Sequence, residues 1–214
     1  MLELYQQHFD TVELNNSFYH LPLETALAEW RKRTPPNFCF AAKGSRFLTH
    51  MKKLKDTGQG IERFFSRIEI LGRKLGPILF QLPPHWSSNA ERLDEFLRAL
   101  PRRRRYAFEL RDPTWHNAEV YDVLRRHNAA FCIYELAGKR SGLEITADFT
   151  YVRLHGPGGP YQGSYSSRAL RDWAERIRAW RRRLDAVYFY FDNDQGGFAA
   201  HNAETLKSLV REMS

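Results

Sequence analysis

Tyr106–Trp115 reads YAFELRDPTW. Apolar and polar residues alternate in it, with Phe108 and Leu110 on one side and Glu109 and Arg111 on the other. Strand side chains alternate between faces, so this carboxylate and this guanidinium, two residues apart, point the same way. Arginines 102–105 precede the stretch, and Asp112-Pro113 marks a turn after it.

Six other stretches share this design. They are Thr11–Phe18 (TVELNNSF), Phe38–Lys43 (FCFAAK), Pro77–Leu82 (PILFQL), Ala129–Glu135 (AAFCIYE), Tyr151–His155 (YVRLH) and Ala186–Phe191 (AVYFYF). Amphipathic helices alternate with them. Leu23–Arg33, Ile61–Leu75, Ala90–Leu100, Ala118–His127 and Arg168–Leu184 carry apolar residues at helical spacing, and a last helix runs through Leu206, Leu209 and Val210. Ser167 is the expected N-cap of the Arg168–Leu184 helix, and Gly138–Leu143 is expected as a loop.

Short apolar strands that alternate with helices imply an α/β protein with about seven parallel strands. An open doubly wound sheet and a (β/α) barrel both fit that order. The placement of polar residues favours the barrel. Glu13, Asn15, Lys43, Gln81, Glu109, Arg111, Arg153, His155 and Asn193 fall late in their strands, on single faces. In an open sheet such groups meet apolar helix surfaces, whereas a barrel directs them into one polar mouth. The G-x-G-x-x-G turn of a dinucleotide fold is also missing after the first strand.

The chain has 214 residues and is 43% hydrophobic, enough for one sizeable core, and no break in composition marks a second domain. Cys39 and Cys132 lie in apolar runs and read as buried free thiols, which suits a reducing cytoplasm. No apolar run reaches the roughly 20 residues of a membrane span, and MLELYQQHFD lacks a signal-peptide pattern. The net charge of +8 is concentrated in 102–105 and 176–183. Two readings stay open for these runs: solvated surface, or attraction to a polyanion such as nucleic acid.

The stretches FDTVELNNSFYHLP, FAAKGSRFLTH, LGPILFQLPP, YAFELRDPTW, YVRLHGPGG and YFDNDQGGFAAHNA resemble the YecE-like family, domain of unknown function 72. They span nearly the whole chain. The resemblance implies a TIM-like (β/α) barrel and implies no reaction. Members of that family usually open with a strand and loop similar to G-T-S-G-W-x-Y. That opening is absent here, so a barrel short of its first strand is expected. The strand ending at Glu135 usually ends with an aspartate in the family.

Glu109 and His155 are the candidate general acid–base residues. Lys43, Arg111 and Arg153 are candidates to hold a phosphate or carboxylate, and Asn15, Gln81, Asn193 and Asn202 to orient polar groups of a substrate. A neutralised ion-pair network accounts for the same residues without a substrate. No H-E-x-x-H or C-x-x-C points to a metal, and no motif names a cofactor; Glu109, Glu135, His155 and Asp192, on separate strands, are the weaker alternative as ligands of a shared ion. Asp192 and Asp194 alternate with Asn193 and are expected to face away from it, in a solvated turn. Thr49 and His50 with Lys52, Lys53 and Lys55 form a basic loop, and Gly156–Ser167 is a candidate lid. Two functions compete: an acid–base enzyme acting on a small anionic or phosphorylated substrate, and a nucleic-acid-binding or -processing protein.

Overall fold

The computed structural model describes residues 2–213. The chain forms two compact units, Met1–Ala129 and Ala130–Ser214. In the first, the order is α1 (Leu2–His8), β1 (Thr11–Leu14), α2 (Glu24–Arg33), β2 (Cys39–Lys43), α3 (Gly58–Ile68), β3 (Leu75–Leu82), α4 (Ala90–Ala99), β4 (Tyr106–Leu110) and α5 (Ala118–Arg126). In the second it is β5 (Ala130–Leu136), β6 (Lys139–Arg140), β7 (Phe149–Leu154), α6 (Ser167–Arg181), β8 (Ala186–Phe191) and α7 (Phe198–Glu212). Seven parallel strands follow one another in chain order, with a helix between each pair except β5 and β7, which the short β6 separates: the TIM-like (β/α) barrel class.

In the first unit, parallel register sets Glu13 beside Ala41, Lys43 beside Leu79, and Gln81 beside Glu109. Alternation then gives these strands two unlike faces. One ends in Glu13, Lys43, Gln81 and Glu109. The other carries Phe40, Phe80 and Phe108 and is covered by helices. Phe80 meets Phe64 of α3 at 6.5 Å and Phe96 of α4 at 5.0 Å between ring centroids. In the second unit, Tyr151, Arg153, Tyr188 and Tyr190 share a face. Val152, Leu154, Phe189 and Phe191 share the opposite one, where Trp173 of α6 packs edge-on against Phe189 at 5.3 Å.

Four local expectations need correction. The strand at Thr11 stops at Leu14, and Asn16–Phe18 is a 3₁₀ turn. The Ser17 hydroxyl donates to the carbonyls of Leu14 and Lys43, which draws the chain out of the ladder. The N-cap of α6 is Ser166, whose Oγ accepts from the Ala169 amide at 3.2 Å, and Ser167 is the first helical residue. The segment 138–143 contains β6, a short antiparallel partner of β5. Ala137 and Gly138 both have positive φ, 50° and 74°, as a tight hairpin turn between twisted strands requires. The 47–51 segment, expected as loop, is a single π-helical turn.

β3 starts two residues before Pro77, and the β2–β3 register shifts between Phe40 and Ala42. A bulge is where a strand tolerates a residue without an N–H. Gly76 is needed there, because a Cβ would overlap the Cys39 sulfur. Both cysteines are free thiols, and burial pushes the Cys39 thiol up. Gly76→Ala is expected to cost about 1–3 kcal/mol through this overpacking. Adding Cys39→Ala removes the atom it strikes, so the double variant should be less destabilised than the sum of the two singles. Urea unfolding of the three variants measures this, and strict additivity would contradict the packing described.

Candidate functional site

Glu109 stands one residue from the end of β4 and is fully buried. A carboxylate without water needs a cation, and the Arg111 Nε supplies one through a short ion pair. The alternation that YAFELR shows in one dimension is therefore a charge pair in three. Lys43 ends β2 on the same face of this unit, with its Nζ 4.5 Å from the centre of the Phe18 ring. Gln81 lies beside Glu109 in the register. Asn15 follows β1 and is exposed, in a helical conformation.

The second unit holds the other cluster. Arg153 and His155 are 2% and 1% exposed. Between them sits Asp192, the residue after β8. Its Oδ2 lies 2.5 Å from Arg153 Nη2 and 3.3 Å from His155 Nδ1. The histidine contact is a close approach rather than an aligned hydrogen bond. The Arg153 Nη1 stands 3.5 Å from the other ring nitrogen, Nε2. One carboxylate oxygen thus serves a guanidinium and an imidazole together.

The sequence favours a solvated turn for Asp192, facing away with Asp194; the structure turns Asp192 toward Arg153 and His155. The signal lay in the register: Arg153 pairs with Tyr190 and Leu154 with Phe191, so the next pair is His155 with Asp192. The Asp192 amide donates to the Leu154 carbonyl at 2.8 Å and keeps that register past the strand end. Asn193 turns to the following loop instead. Its Nδ2 donates to the Gly163 carbonyl at 2.8 Å and to Asn202 Oδ1 at 2.9 Å. Asn202 receives the Tyr165 amide and donates to Ser164. These two buried amides tie α7 to the 156–165 segment.

That segment arches over His155. The Tyr161 amide donates to the His155 carbonyl at 2.6 Å, and the Tyr161 ring meets the imidazole edge-on at 5.5 Å. Gly156, at φ 105°, is packed against the backbone of Gln162, where a Cβ would not fit. Tyr165 receives the Gly156 amide on its hydroxyl and donates to Glu135. Burial pushes the Glu135 carboxyl above its usual range, against the opposing effects of the Tyr165 hydrogen bond and the Arg140 charge. Burial, with the Glu135 charge, also raises the Tyr165 hydroxyl.

No group of three or more His, Cys, Asp or Glu suited to a metal occurs among the described residues. No helix among them is long and apolar enough to cross a membrane. In the first arginine run Arg104 pairs with Glu69 at 3.2 Å; outside the runs, Asp94 serves Arg98, Arg126 and His127. Trp115, Trp173 and Trp180 are buried packing residues.

A family described as "Protein of unknown function DUF72" matches residues 1–214. The chain is 25% identical over 243 residues to the UPF0759 protein YunF of Bacillus subtilis (strain 168), across 98% of this chain and 86% of that protein. It is 31% identical over 113 residues to the UPF0759 protein YecE of Escherichia coli (strain K12), across 52% of this chain and 42% of that one. A crystal structure of a DUF72 family protein from Thermotoga maritima MSB8 superposes with a TM-score of 0.82 at 27% identity, over 95% of this chain and 85% of that chain. One from Enterococcus faecalis V583 gives 0.88 at 19% identity, over 99% and 88%. None of these relatives is named for a reaction or a ligand.

His50 in the basic loop stays neutral to a lower pH than an ordinary histidine. His50 packs edge-on to Phe18 at 5.1 Å, with Nδ1 2.9 Å from the Thr49 hydroxyl. Burial, with the charges of Arg46 and Lys43, pushes its pKa down to about 4 from 6.5. The unfolded chain therefore takes up this proton at higher pH than the folded one. The stability contribution is complete above pH 6.5 and is lost as pH falls from 6.5 to about 4. His50→Gln should flatten the melting-temperature decline in that window, and the His50 ring resonances should titrate near 4 rather than 6.5.

Proposed function

The chain belongs to the DUF72 family, and from that premise we propose that it is an acid–base enzyme acting on a small anionic or phosphorylated substrate, with Arg153, His155 and Asp192 as its reacting group. The observation that carries this reading is the Asp192 carboxylate shared between a guanidinium and an imidazole at the C-terminal end of β7. Barrel enzymes place their chemistry at that end of their strands. A carboxylate beside one ring nitrogen favours the proton on that nitrogen and leaves the other to take or give a proton.

Arg153 supplies the second function. A guanidinium has five N–H donors in a planar fork, suited to a phosphate or carboxylate. A substrate anion that engages it competes with Asp192, and the carboxylate then turns more fully to His155. Binding and acid–base readiness are coupled in this way. The Tyr161 ring against the imidazole and the glycine-rich segment around it give a cover that excludes water. Glu109, neutralised by Arg111, and Lys43 hold the corresponding strand ends in the first unit.

A thermal-shift screen of small phosphates and carboxylates tests the proposal. A true ligand near a hundred times its Kd stabilises by about 2.7 kcal/mol, which for a chain of this size is a rise of roughly 5–10 °C. His155→Gln should fold with stability within about 1 kcal/mol of the parent, Asp192→Asn, which leaves the buried Arg153 without its carboxylate, should cost about 3–5 kcal/mol, and both should lose that rise. No response from any anion, or an undiminished response in both variants, would sink the proposal. A collapse in stability of both variants would instead assign the cluster to folding.

A further inference from the structure

Beside the C-terminal ends of β1 and β2, the first unit opens a cleft of about 500 Å³. This lies within the roughly 300–1,000 Å³ typical of small-ligand sites. Tyr19, Phe47, Gln59 and Arg63 line it, with Ser45 and Gly60. Tyr19 is 70% exposed and Phe47 40%, so two large rings are left uncovered at one opening. Arg63 projects from α3, and its guanidinium makes no ion pair among the described residues. The next arginine on the helix differs: Arg67 is held by Glu24 at 3.4 Å and by the Pro22 carbonyl at 2.9 Å.

The backbone around these residues is unusual. Phe47 opens the π-helical turn Phe47–Met51, a feature concentrated at functional sites. Three non-glycine residues that follow it, Lys53, Leu54 and Asp56, have φ of 47°, 63° and 49°. Such conformations persist only where the surroundings impose them, and they gather at ligand sites. Gly60 lets α3 close on this turn, since a Cβ there would lie 2.7 Å from Leu48 and 3.1 Å from the Phe47 ring. The Phe47 ring is thereby held at the cleft wall. Lys52 adds a cation, its Nζ 5.8 Å from the centre of that ring.

We propose that this cleft binds a nucleoside monophosphate. The base lies against the rings of Tyr19 and Phe47, because every nucleobase has a π-face that an aromatic side chain can cover. The phosphate engages Arg63, whose fork matches two phosphate oxygens. The Gln59 amide, with both donor and acceptor, meets polar atoms of the base or sugar. This site shares no residue with the His155 cluster.

Isothermal titration of the full chain with AMP tests the proposal, with adenosine and ribose 5-phosphate as probes lacking one half of the ligand. AMP should bind with a Kd below about 1 mM, and each half at least about tenfold more weakly. Arg63→Gln should weaken AMP by about tenfold or more while leaving adenosine unchanged, and Tyr19→Ala should weaken both. Both side chains are exposed, so the melting temperatures of these variants should match the parent. His155→Gln should bind AMP normally, which separates this site from the acid–base proposal. No heat from AMP or UMP, or AMP binding unaffected by both variants, would overturn the assignment. So would a single-stranded decamer that binds about a hundredfold more tightly than AMP with steep salt dependence, since that reassigns the cleft to a nucleic-acid strand.

Discussion

Each strand in this protein has to satisfy two incompatible surroundings at once. One face meets helices and has to be apolar along its length. The other faces its counterparts in the sheet and turns polar at the C-terminal end, where charge can be placed only if it is matched. The second requirement is the stricter. A buried ion left without its partner costs on the order of 3–5 kcal/mol, more than most single packing faults. Glu109 with Arg111, and Arg153 with Asp192, are therefore fixed points around which side chains at the strand ends have to arrange themselves. The apolar face has more freedom, because Phe40, Phe80 and Phe108 need only fill space between strand and helix.

That difference explains what could be read in the residues and what could not. Period-two alternation identified all seven parallel strands, and the late polar residues pointed to the barrel class, because both signals are local. β8 was placed with both ends correct, Ala186–Phe191. The Glu109–Arg111 pair was legible for the same reason, being two residues apart on one strand. The Arg153–Asp192 pair was not, since it spans two strands and depends on their register. Continuing the alternation of β8 into a turn directed Asp192 away from Arg153 and His155, whereas it lies between them. Once the ladder hydrogen bond from the Asp192 amide to Leu154 is known, the parity is settled.

The remaining local errors have a common cause. Short polar side chains compete with the backbone pattern in ways that residue type alone does not rank. Ser17 could continue a strand or bond back to carbonyls, and it takes the second course through two acceptors. Ser166 and Ser167 are equivalent as letters, yet only Ser166 has the extended backbone of a cap, with ψ 155°. The π-turn at Phe47 has no simple sequence signature. It buries Leu48 and Thr49 and leaves Phe47 and Met51 exposed.

The same energetics bear on whether the His155 cluster is structural or chemical. A pair of opposite charges suffices to neutralise a buried arginine, and an apolar replacement of such a pair is often neutral or stabilising by about 1–4 kcal/mol. A third ionisable group on the same carboxylate oxygen adds desolvation without adding a charge partner. If the cluster served only to close the end of β7, His155 would be the costly part of it, since a leucine of similar volume asks nothing of Asp192. An imidazole held against a shared carboxylate, with a tyrosine ring on its edge, is a poor way to fill space. It is a sound way to keep a proton acceptor oriented until an anion takes the arginine.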